Sequence, residues 1–233
     1  MCGINSDHHH GPSSEVGIDL RQQHDLTASL NRKLLDAHGV TCFNLMSGPG
    51  AGKTSLLEAT LKALQGERRA GVLEGDMTTE LDAERLRACG VPVVAITTGR
   101  ACHLDADLVK TGLEGLELSK LNTLFIENVG NLVCPAEFPL GEHKKVVLVS
   151  VTEGEDKPLK YPLMFHEADC VVITKTDLSP FVRVDTEALR RNIGQINPKA
   201  QVFAVSAETG EGLSEWLGWL EAVSTKREPV SSA

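Results

Sequence analysis

Short apolar runs alternate along this chain with segments in which apolar residues recur every three or four positions. The runs have the length and the β-branched composition of buried parallel strands, and the periodic segments are typical of helices that bury one face. The predicted strands lie at 40–46, 69–75, 91–98, 123–126, 145–151, 170–173 and 201–205. This alternation predicts an α/β fold with a doubly wound, mostly parallel sheet flanked by helices.

The predicted helices lie mostly between these strands, at 80–89, 106–118, 163–168, 185–196 and 213–223, and one follows the first strand from residue 56. Another is expected at 18–37, and its apolar face should pack against the domain or against a second subunit. That face carries Leu20, Leu26, Leu30, Leu34 and Ala37. We therefore expect a flexible extension at 1–17, a single domain at 18–223 and a tail at 224–233.

Composition narrows the class of protein. With 233 residues and 41% hydrophobic content, the chain suits one soluble domain with a large core. No apolar run approaches the roughly 20 residues of a membrane span, and the start does not resemble a signal peptide, so we expect a cytoplasmic protein without a membrane partner. A net charge of −9 argues against a nucleic-acid partner, because such surfaces need basic stripes. In a reducing compartment the six cysteines are expected to be core residues or metal ligands.

The strongest motif is the glycine-rich stretch at 47–55, S-G-P-G-A-G-K-T-S, between the first strand and a helix. It matches the phosphate-binding pattern G-x-x-x-x-G-K-[ST], except that Ser47 takes the place of the first glycine. In such a loop the backbone N–H groups converge on phosphates, the lysine reaches the terminal phosphates and the threonine hydroxyl ligates Mg²⁺. The predicted nucleotide-binding residues here are Gly48, Gly50, Ala51, Gly52, Lys53, Thr54 and Ser55.

Two acidic residues follow predicted strands, at the sheet edge where open parallel sheets bind ligands. Asp76 is a candidate Mg²⁺ ligand, and a helix-leading cap is the alternative. Glu127 opens the sequence E-N-V-G, an acidic variant of the switch loop in which a carboxylate acts on Mg²⁺ or its waters and the Gly130 amide meets the γ-phosphate. Lys53, Asp76 and Glu127 are the predicted catalytic residues, and Thr54, Asp76 and Glu127 are the predicted Mg²⁺ ligands.

Two further loops predict guanine as the base. Lys175 and Asp177 follow the strand at 170–173 in the sequence T-K-T-D, where the usual motif is N-K-x-D. One carboxylate accepts both the N1–H and N2–H₂ donors of guanine, a pair that adenine lacks. Asp177 is therefore predicted to select the base while the stem of Lys175 covers the ring. The loop predicted to bond guanine O6 contains Ser206, Ala207 and Glu208, and the expected cofactors are GTP or GDP with Mg²⁺.

Two interpretations are open for the charged loop that contains Lys157 and Lys160. These lysines are either solvated charges or phosphate contacts supplied across an interface. The amino end of the chain contains four residues of metal-binding type, Cys2, His8, His9 and His10. Either they hold a soft or borderline metal weakly, or they belong to a solvated tail.

A cysteine and a histidine are adjacent at Cys102 and His103, near a loop–helix junction. Taken singly, the cysteine is typical of a core and the histidine of a surface. Together they offer a thiolate and an imidazole to one ion only if the backbone turns sharply. A metal that they shared with Cys134 would be tied to the loop that senses the γ-phosphate.

Together the motifs resemble those of the hydrogenase nickel-incorporation GTPases, the HypB family in the SIMIBI class of P-loop GTPases. The resemblance covers about residues 20–220. Its elements are P-G-A-G-K-T in the glycine-rich loop, E-G-D at 74–76, C-H at 102–103, E-N-V-G at 127–130, C-P-A-E-F at 134–138 and D-K-P-L-K-Y-P at 156–162. The most specific of these are the Cys-His pair and the Cys-Pro after the switch loop.

The resemblance implies slow, Mg²⁺-dependent GTP hydrolysis, a homodimer promoted by GTP or metal, and a site for Ni²⁺ or Zn²⁺ made of Cys102, His103 and Cys134. It also implies delivery of Ni²⁺ to the precursor of the [NiFe]-hydrogenase large subunit, together with a small zinc-containing nickel chaperone. Many members begin with a cysteine-rich nickel motif, and this chain has only Cys2 and the histidines at 8–10 in that region.

Three other functions stay open. The first is a urease-type nickel accessory GTPase, although the Cys-Pro-His tripeptide typical of that family is absent from the sequence. The second is a nickel store whose assembly is controlled by nucleotide, and the third is a general regulatory GTPase. Metal stoichiometry separates them, because a store holds several ions per chain, a delivery switch about one, and a regulatory GTPase none.

Overall fold

A computed structural model describes residues 13–65, 68–78, 80–99 and 101–225. Within these residues seven strands form one sheet: β1 (Thr41–Ser47), β2 (Ala70–Asp76), β3 (Val93–Thr97), β4 (Thr123–Glu127), β5 (Lys144–Ser150), β6 (Cys170–Thr174) and β7 (Gln201–Val205). Their order is β3-β2-β4-β1-β5-β6-β7, and every neighbouring pair is parallel. The predicted doubly wound α/β fold is confirmed, with a sheet that is parallel throughout these residues.

Helices cover both faces of the sheet. They are α1 (Ser13–Ala37), α2 (Lys53–Ala63), α3 (Leu81–Arg87), α4 (Ala106–Glu114), α5 (Lys157–Lys160), α6 (Pro162–His166), α7 (Thr186–Ile196) and α8 (Leu213–Thr225). The core on one face joins α2, α3 and α8 around Phe43 and Trp216. On the other face, α4 packs around Leu113, and α6 and α7 pack around Phe165 and Ile193.

The central strand positions the functional edge. All residues of β1 are buried, because β4 and β5 lie on either side of it and helices cover both of its faces. The order of the strands reverses at β1, and ligands bind at such a point in open α/β sheets. The glycine-rich loop therefore opens at the middle of the carboxyl edge, beside the last residue of β4, Glu127.

The first helix differs from its prediction at its start. It begins at Ser13, so residues 13–17 belong to the helix and not to the expected extension, whose remainder lies outside the described residues. Three leucines of the predicted apolar face turn away from the chain's own core, since Leu26, Leu30 and Leu34 are 54%, 49% and 38% exposed. Of the two predicted packing partners, a second subunit stays open for this face. The inward face combines polar and small residues with the buried Leu35, and Asn31 Nδ2 donates to the carbonyls of Ala106 and Leu140 over 2.8 and 3.0 Å.

The close approach of the α1 backbone to Gly141 explains why this face of α1 points inward. A Cβ at Gly141 would lie 2.7 Å from the Ala28 carbonyl oxygen, so a larger residue at either surface would push the helix away. At the other end of the chain, α8 continues to Thr225, two residues into the predicted tail at 224–233. The rest of that tail lies outside the described residues. Among the described residues, no helix combines the length and the apolar content that a membrane crossing requires.

Candidate nucleotide and metal sites

The glycine-rich loop leaves the carboxyl end of β1 and runs into α2, which begins at Lys53. Gly50 and Gly52 have φ angles of 72° and 93°, a left-handed conformation that favours glycine. Lys53 is 8% exposed, and its Nζ donates to Ser47 Oγ over 3.1 Å. Burial lowers the pKa of Lys53, and the nearby Glu127 carboxylate opposes that shift. A buried ammonium group beside left-handed backbone turns is suited to phosphate groups.

The next residue of α2 contacts the end of β4. The Thr54 hydroxyl donates to Glu127 Oε1 over 2.7 Å. The other oxygen of Glu127 is buried and has no hydrogen-bond partner among the described residues. Burial raises the pKa of Glu127 to about 7, while Lys53 acts in the opposite direction. A hydroxyl and an unpartnered carboxylate oxygen are the hard oxygen ligands that Mg²⁺ prefers, so these residues fit that ion.

Two more acidic residues lie at the end of β2. Asp76 is its last residue, as predicted, and its Oδ1 accepts the Thr78 N–H over 2.8 Å, a bond within the turn after β2. It does not cap a helix, because α3 begins at Leu81 with Glu80 at its N-cap position. Glu74 pairs in register with Glu127 and is 2% exposed. Burial, followed by the charges of Glu127 and Asp76, raises the pKa of Glu74 to about 8. Sequence reasoning missed Glu74 as a site residue, although a carboxylate inside an apolar strand was the available signal.

A cavity of about 620 Å³ opens beside the glycine-rich loop. The predicted site residues in its lining are Gly52, Ser55, Lys175, Asp177, Ala207 and Glu208. Asp177 Oδ1 accepts a hydrogen bond from Ser206 Oγ over 2.6 Å, which fixes the carboxylate at the cavity wall. Lys175 Nζ donates to the Gly50 carbonyl over 2.7 Å. The volume and the placed carboxylate suit a nucleoside.

Thr174 occupies the position where the usual guanine motif has asparagine. Its hydroxyl donates to the Ala51 carbonyl over 2.6 Å, so β6 is tied to the glycine-rich loop without a side-chain amide. Lys175 follows with a φ of 59°, a left-handed conformation that is uncommon outside glycine and is typical of functional sites. Neither Thr174 nor Arg85 was among the predicted site residues, although Arg85 lines the cavity and pairs with Glu58 over 2.7 Å.

Lys157 and Lys160 both face acidic side chains of their own loop. Lys157 Nζ lies 3.9 Å from Glu153 Oε1 and 5.4 Å from the centre of the Tyr161 ring. Glu153 in turn lies against Gly48, where a Cβ would come within 2.9 Å of the same oxygen. Lys160 pairs with Asp156 and is 62% exposed. Lys157 is thus connected to the glycine-rich loop through Glu153, whereas Lys160 points to solvent.

Two cysteines and a histidine converge at the same edge of the sheet. Cys102 Sγ donates to Cys134 Sγ over 3.1 Å and lies 3.8 Å from His103 Nδ1. All three ligand atoms lie within 4.8 Å of one another, and atoms bound to one ion at about 2.0–2.3 Å lie within about 4.6 Å. The backbone turn that the Cys-His pair requires is therefore present. The residues fit one soft or borderline ion such as Ni²⁺ or Zn²⁺.

The surroundings of the cluster are partly apolar. The His103 ring stacks on Phe138 with a centroid distance of 4.2 Å, and burial lowers the pKa of His103. Contact with the Cys102 thiol is the main cause of a raised pKa at Cys134. A neutral imidazole is ready to ligate a metal, whereas each thiol must release a proton. The candidate amino-terminal ligands Cys2, His8, His9 and His10 lie outside the described residues.

Comparison with known proteins agrees with this geometry. A family model described as the CobW/HypB/UreG nucleotide-binding domain matches residues 41–204. The hydrogenase maturation factor HypB of Azotobacter chroococcum mcd 1 is 51% identical over 207 residues, which are 89% of this chain and 68% of that protein. HypB of Escherichia coli K12 is 46% identical over 207 residues, covering 89% of this chain and 71% of that protein. The chain belongs to the HypB family.

Solved structures agree with the assignment to HypB. The crystal structure of HypB from Archaeoglobus fulgidus is 39% identical, covers 87% of this chain and 99% of that chain, and superposes with a TM-score of 0.82. HypB from Helicobacter pylori in complex with nickel is 35% identical, with coverages of 91% and 99% and a TM-score of 0.84. A signal recognition particle receptor, FtsY from Elizabethkingia anophelis, is 14% identical at a TM-score of 0.54 and shows the shared fold alone. This HypB-family chain therefore has the P-loop GTPase fold of the solved HypB structures.

Proposed function

We propose that this chain is a nickel-handling GTPase that couples GTP hydrolysis and dimerisation to delivery of Ni²⁺ to the precursor of the [NiFe]-hydrogenase large subunit. One observation carries the proposal. The segment 127–134 begins at Glu127, which contacts Thr54, and ends at Cys134, which contacts Cys102. A single short loop thus joins the candidate phosphate site to the candidate metal site. The names of the HypB relatives and the nickel complex of the Helicobacter pylori protein support the same function.

In the proposed reaction, Lys53 and the backbone amides of the glycine-rich loop hold the phosphates of GTP. Thr54 and Glu127 would hold Mg²⁺, and Asp76 would complete the set of ligands from the end of β2. Bound Mg²⁺ would neutralise negative charge on the β- and γ-phosphate oxygens. Water would attack the γ-phosphate, and we propose that the Glu127 carboxylate acts on Mg²⁺ or on its waters in that step. Catalysis would rest on positioning of the phosphates and on electrostatics, without a covalent intermediate. We propose that GTP turnover is slow.

The base is held in the cavity beside the loop. Asp177, fixed by Ser206, accepts the paired N–H donors of guanine, and the stem of Lys175 lies along the ring. A site built to hydrogen-bond a group discriminates strongly against an analogue that lacks it, because its buried polar atoms are then left unpaired. We therefore propose GTP and GDP as the nucleotides.

Nickel is the cargo of the proposed reaction, and Cys102, His103 and Cys134 hold it between cycles. Three ligands per chain leave at least one position for water or for a residue of a second subunit. Large apolar side chains are exposed on this edge at Met77, Leu81 and Val133, and their burial would favour a homodimer. We propose that GTP or metal promotes that dimer in the cytoplasm, and that a small zinc-containing chaperone assists the transfer.

Competition against a chromophoric chelator tests the coupling directly. We expect the Ni²⁺ affinity of the protein with a GTP analogue to differ from that with GDP by about 5- to 150-fold, the usual range of coupling between sites. Cys134→Ala should abolish tight Ni²⁺ binding and leave GTP binding intact. Cys170→Ala is the matched control, because Cys170 is a buried core thiol of β6. Equal Ni²⁺ affinity in both nucleotide states would contradict the proposal.

A further inference from the structure

We propose that Asn131 transmits the nucleotide state to the metal site, while Asn128 holds the other half of that site in place. This inference rests on the proposed function and names the atoms that carry the coupling. Both asparagines belong to the segment 127–134, one on each side of Val129 and Gly130. The Asn131 side chain contacts Cys134 itself, whereas the Asn128 side chain bonds to Leu104, the residue after His103.

The coupling begins where the segment touches the glycine-rich loop. A Cβ at Gly130 would lie 3.0 Å from Pro49 Cα and 3.1 Å from Pro49 N, so only a glycine fits without displacing the backbone of that loop. Phosphate groups bound by the loop would lie beside the same contact. A movement of the glycine-rich loop on gain or loss of the γ-phosphate would therefore displace Gly130 first. Asn131 would move with it, because it is the next residue in the chain.

Asn131 makes the four residues 131–134 move as one unit. Its Oδ1 accepts the N–H groups of Val133 and Cys134 over 2.7 and 3.3 Å, which closes a tight turn. Its Nδ2 lies 3.5 Å from Cys134 Sγ. The same side chain thus fixes both the backbone and the sulfur of one ligand. Because Asn131 follows Gly130 directly, a shift of Gly130 carries this turn and its thiol with it.

Asn128 holds the opposite half of the cluster against the sheet. Its Oδ1 accepts the N–H of Leu104, the residue after His103, over 3.0 Å. Its Nδ2 donates to Asn44 Oδ1 of the central strand over 3.3 Å, and Asn128 is 1% exposed. The Cys102–His103 half is therefore anchored to the part of the fold with the least freedom to move.

This asymmetry has a geometric consequence for the cluster. Cys134 is attached to the segment beyond Gly130, and its partners Cys102 and His103 are attached to β1 through Asn128. Movement at Gly130 then changes the separation of Cys134 Sγ from the other two ligand atoms, now 3.1 Å from Cys102 Sγ. The metal site opens or closes by displacement of one ligand out of three.

Substitution of Asn131 tests this coupling separately from metal binding. Ni²⁺ affinity is measured by chelator competition with GDP and with a GTP analogue, and the thiolate-to-nickel absorption band is recorded in each state. We expect Asn131→Ala to keep the absorption band and to bring the affinity ratio between the two states to within about two-fold of one. Asn131→Asp retains the oxygen that accepts both N–H groups, so it should keep the ratio of the unaltered protein.

Asn197→Ala is the matched control. Asn197 makes the same kind of turn, accepting the N–H groups of Lys199 and Ala200, at the amino edge of the sheet before β7. That variant should keep both the band and the ratio. Asn131→Ala with an unchanged ratio would overturn the inference, as would loss of its absorption band, since Asn131 would then merely support a ligand. A ratio of one in the unaltered protein would instead refute the proposed function itself, and the inference with it.

Discussion

The Thr54 hydroxyl and the Glu127 carboxylate are joined by a 2.7 Å hydrogen bond between the first turn of α2 and the end of β4. Both residues are buried, and Glu127 retains one carboxylate oxygen without a hydrogen-bond partner among the described residues. An unsatisfied buried oxygen is costly unless a ligand supplies its partner. The proposed Mg²⁺ ion would supply that partner, and the pair would then exchange its own contact for a shared divalent cation.

Glu127→Gln tests that arrangement. The amide can still accept from Thr54, but it has no charge for Mg²⁺ and is a poor ligand. We expect the rate of GTP hydrolysis to fall by about 100-fold or more, while GDP binding without Mg²⁺ changes little. Phosphate release at several Mg²⁺ concentrations measures the effect. Glu137→Gln, an exposed carboxylate beyond the same loop, is the control, and equal turnover in the two variants would exclude Glu127 as a ligand.

Asp177→Asn tests the choice of base. The substituted amide presents a donor where guanine also presents donors, whereas xanthine has an oxygen at that position. We expect the preference to shift from GTP towards XTP, with a loss of GTP affinity that can exceed thousand-fold. Nucleotide competition against a fluorescent GDP derivative measures it. Equal competition by ATP and GTP in the unaltered protein would contradict the assignment of Asp177 as the residue that selects guanine.

Glu74 predicts a particular dependence of stability on pH. Its pKa in the folded protein is about 8, against an ordinary value of 4.5, so between these values the folded state binds a proton that the unfolded state lacks. The free energy of unfolding then falls as the pH rises, by at most about 1.4 kcal/mol per pH unit for this proton. Glu74→Gln removes this term, so the variant should gain stability relative to the unaltered protein from about pH 5 to about pH 8.

Urea unfolding of the protein without nucleotide or metal measures that gain. Glu221→Gln, an exposed glutamate on α8, should show no such trend. A stability difference between Glu74→Gln and the unaltered protein that does not vary with pH would contradict the prediction. Burial is the first cause of the raised pKa, so the trend should persist in high salt, where only the smaller contributions of Glu127 and Asp76 are screened.

Local patterns were sufficient to predict most of the fold. The apolar runs give strands within a few residues of their observed bounds, and Asp76 and Glu127 end their strands as expected. The orientation of α1 was not predictable in this way, because its leucine stripe suggests burial. Its observed orientation depends on Asn31 and on the small residues Ala28 and Gly141, whose contacts lie far apart in the sequence.

In the candidate sites, too, local motifs were predictable and contacts between distant residues were not. The glycine-rich loop is local, so a motif reveals it, and the Cys-His-Cys cluster follows from family resemblance. The contribution of Thr174 depends on a carbonyl more than one hundred residues earlier in the chain, and that of Asn128 depends on Leu104 and Asn44. No spacing rule in the sequence relates such partners, and only the assembled sheet brings them together.

The central position of β1 also bears on how the protein forms during translation. Thr41 of β1 pairs with Thr123, and Phe43 pairs with Lys144, so both neighbours are synthesised long after β1 itself. At about 5–20 residues per second the nascent chain waits on the order of ten seconds for them. Pairing between such distant segments is also slow. The glycine-rich loop therefore gains both neighbouring strands only late in synthesis, and we expect nucleotide to bind a chain that has already assembled the middle of its sheet.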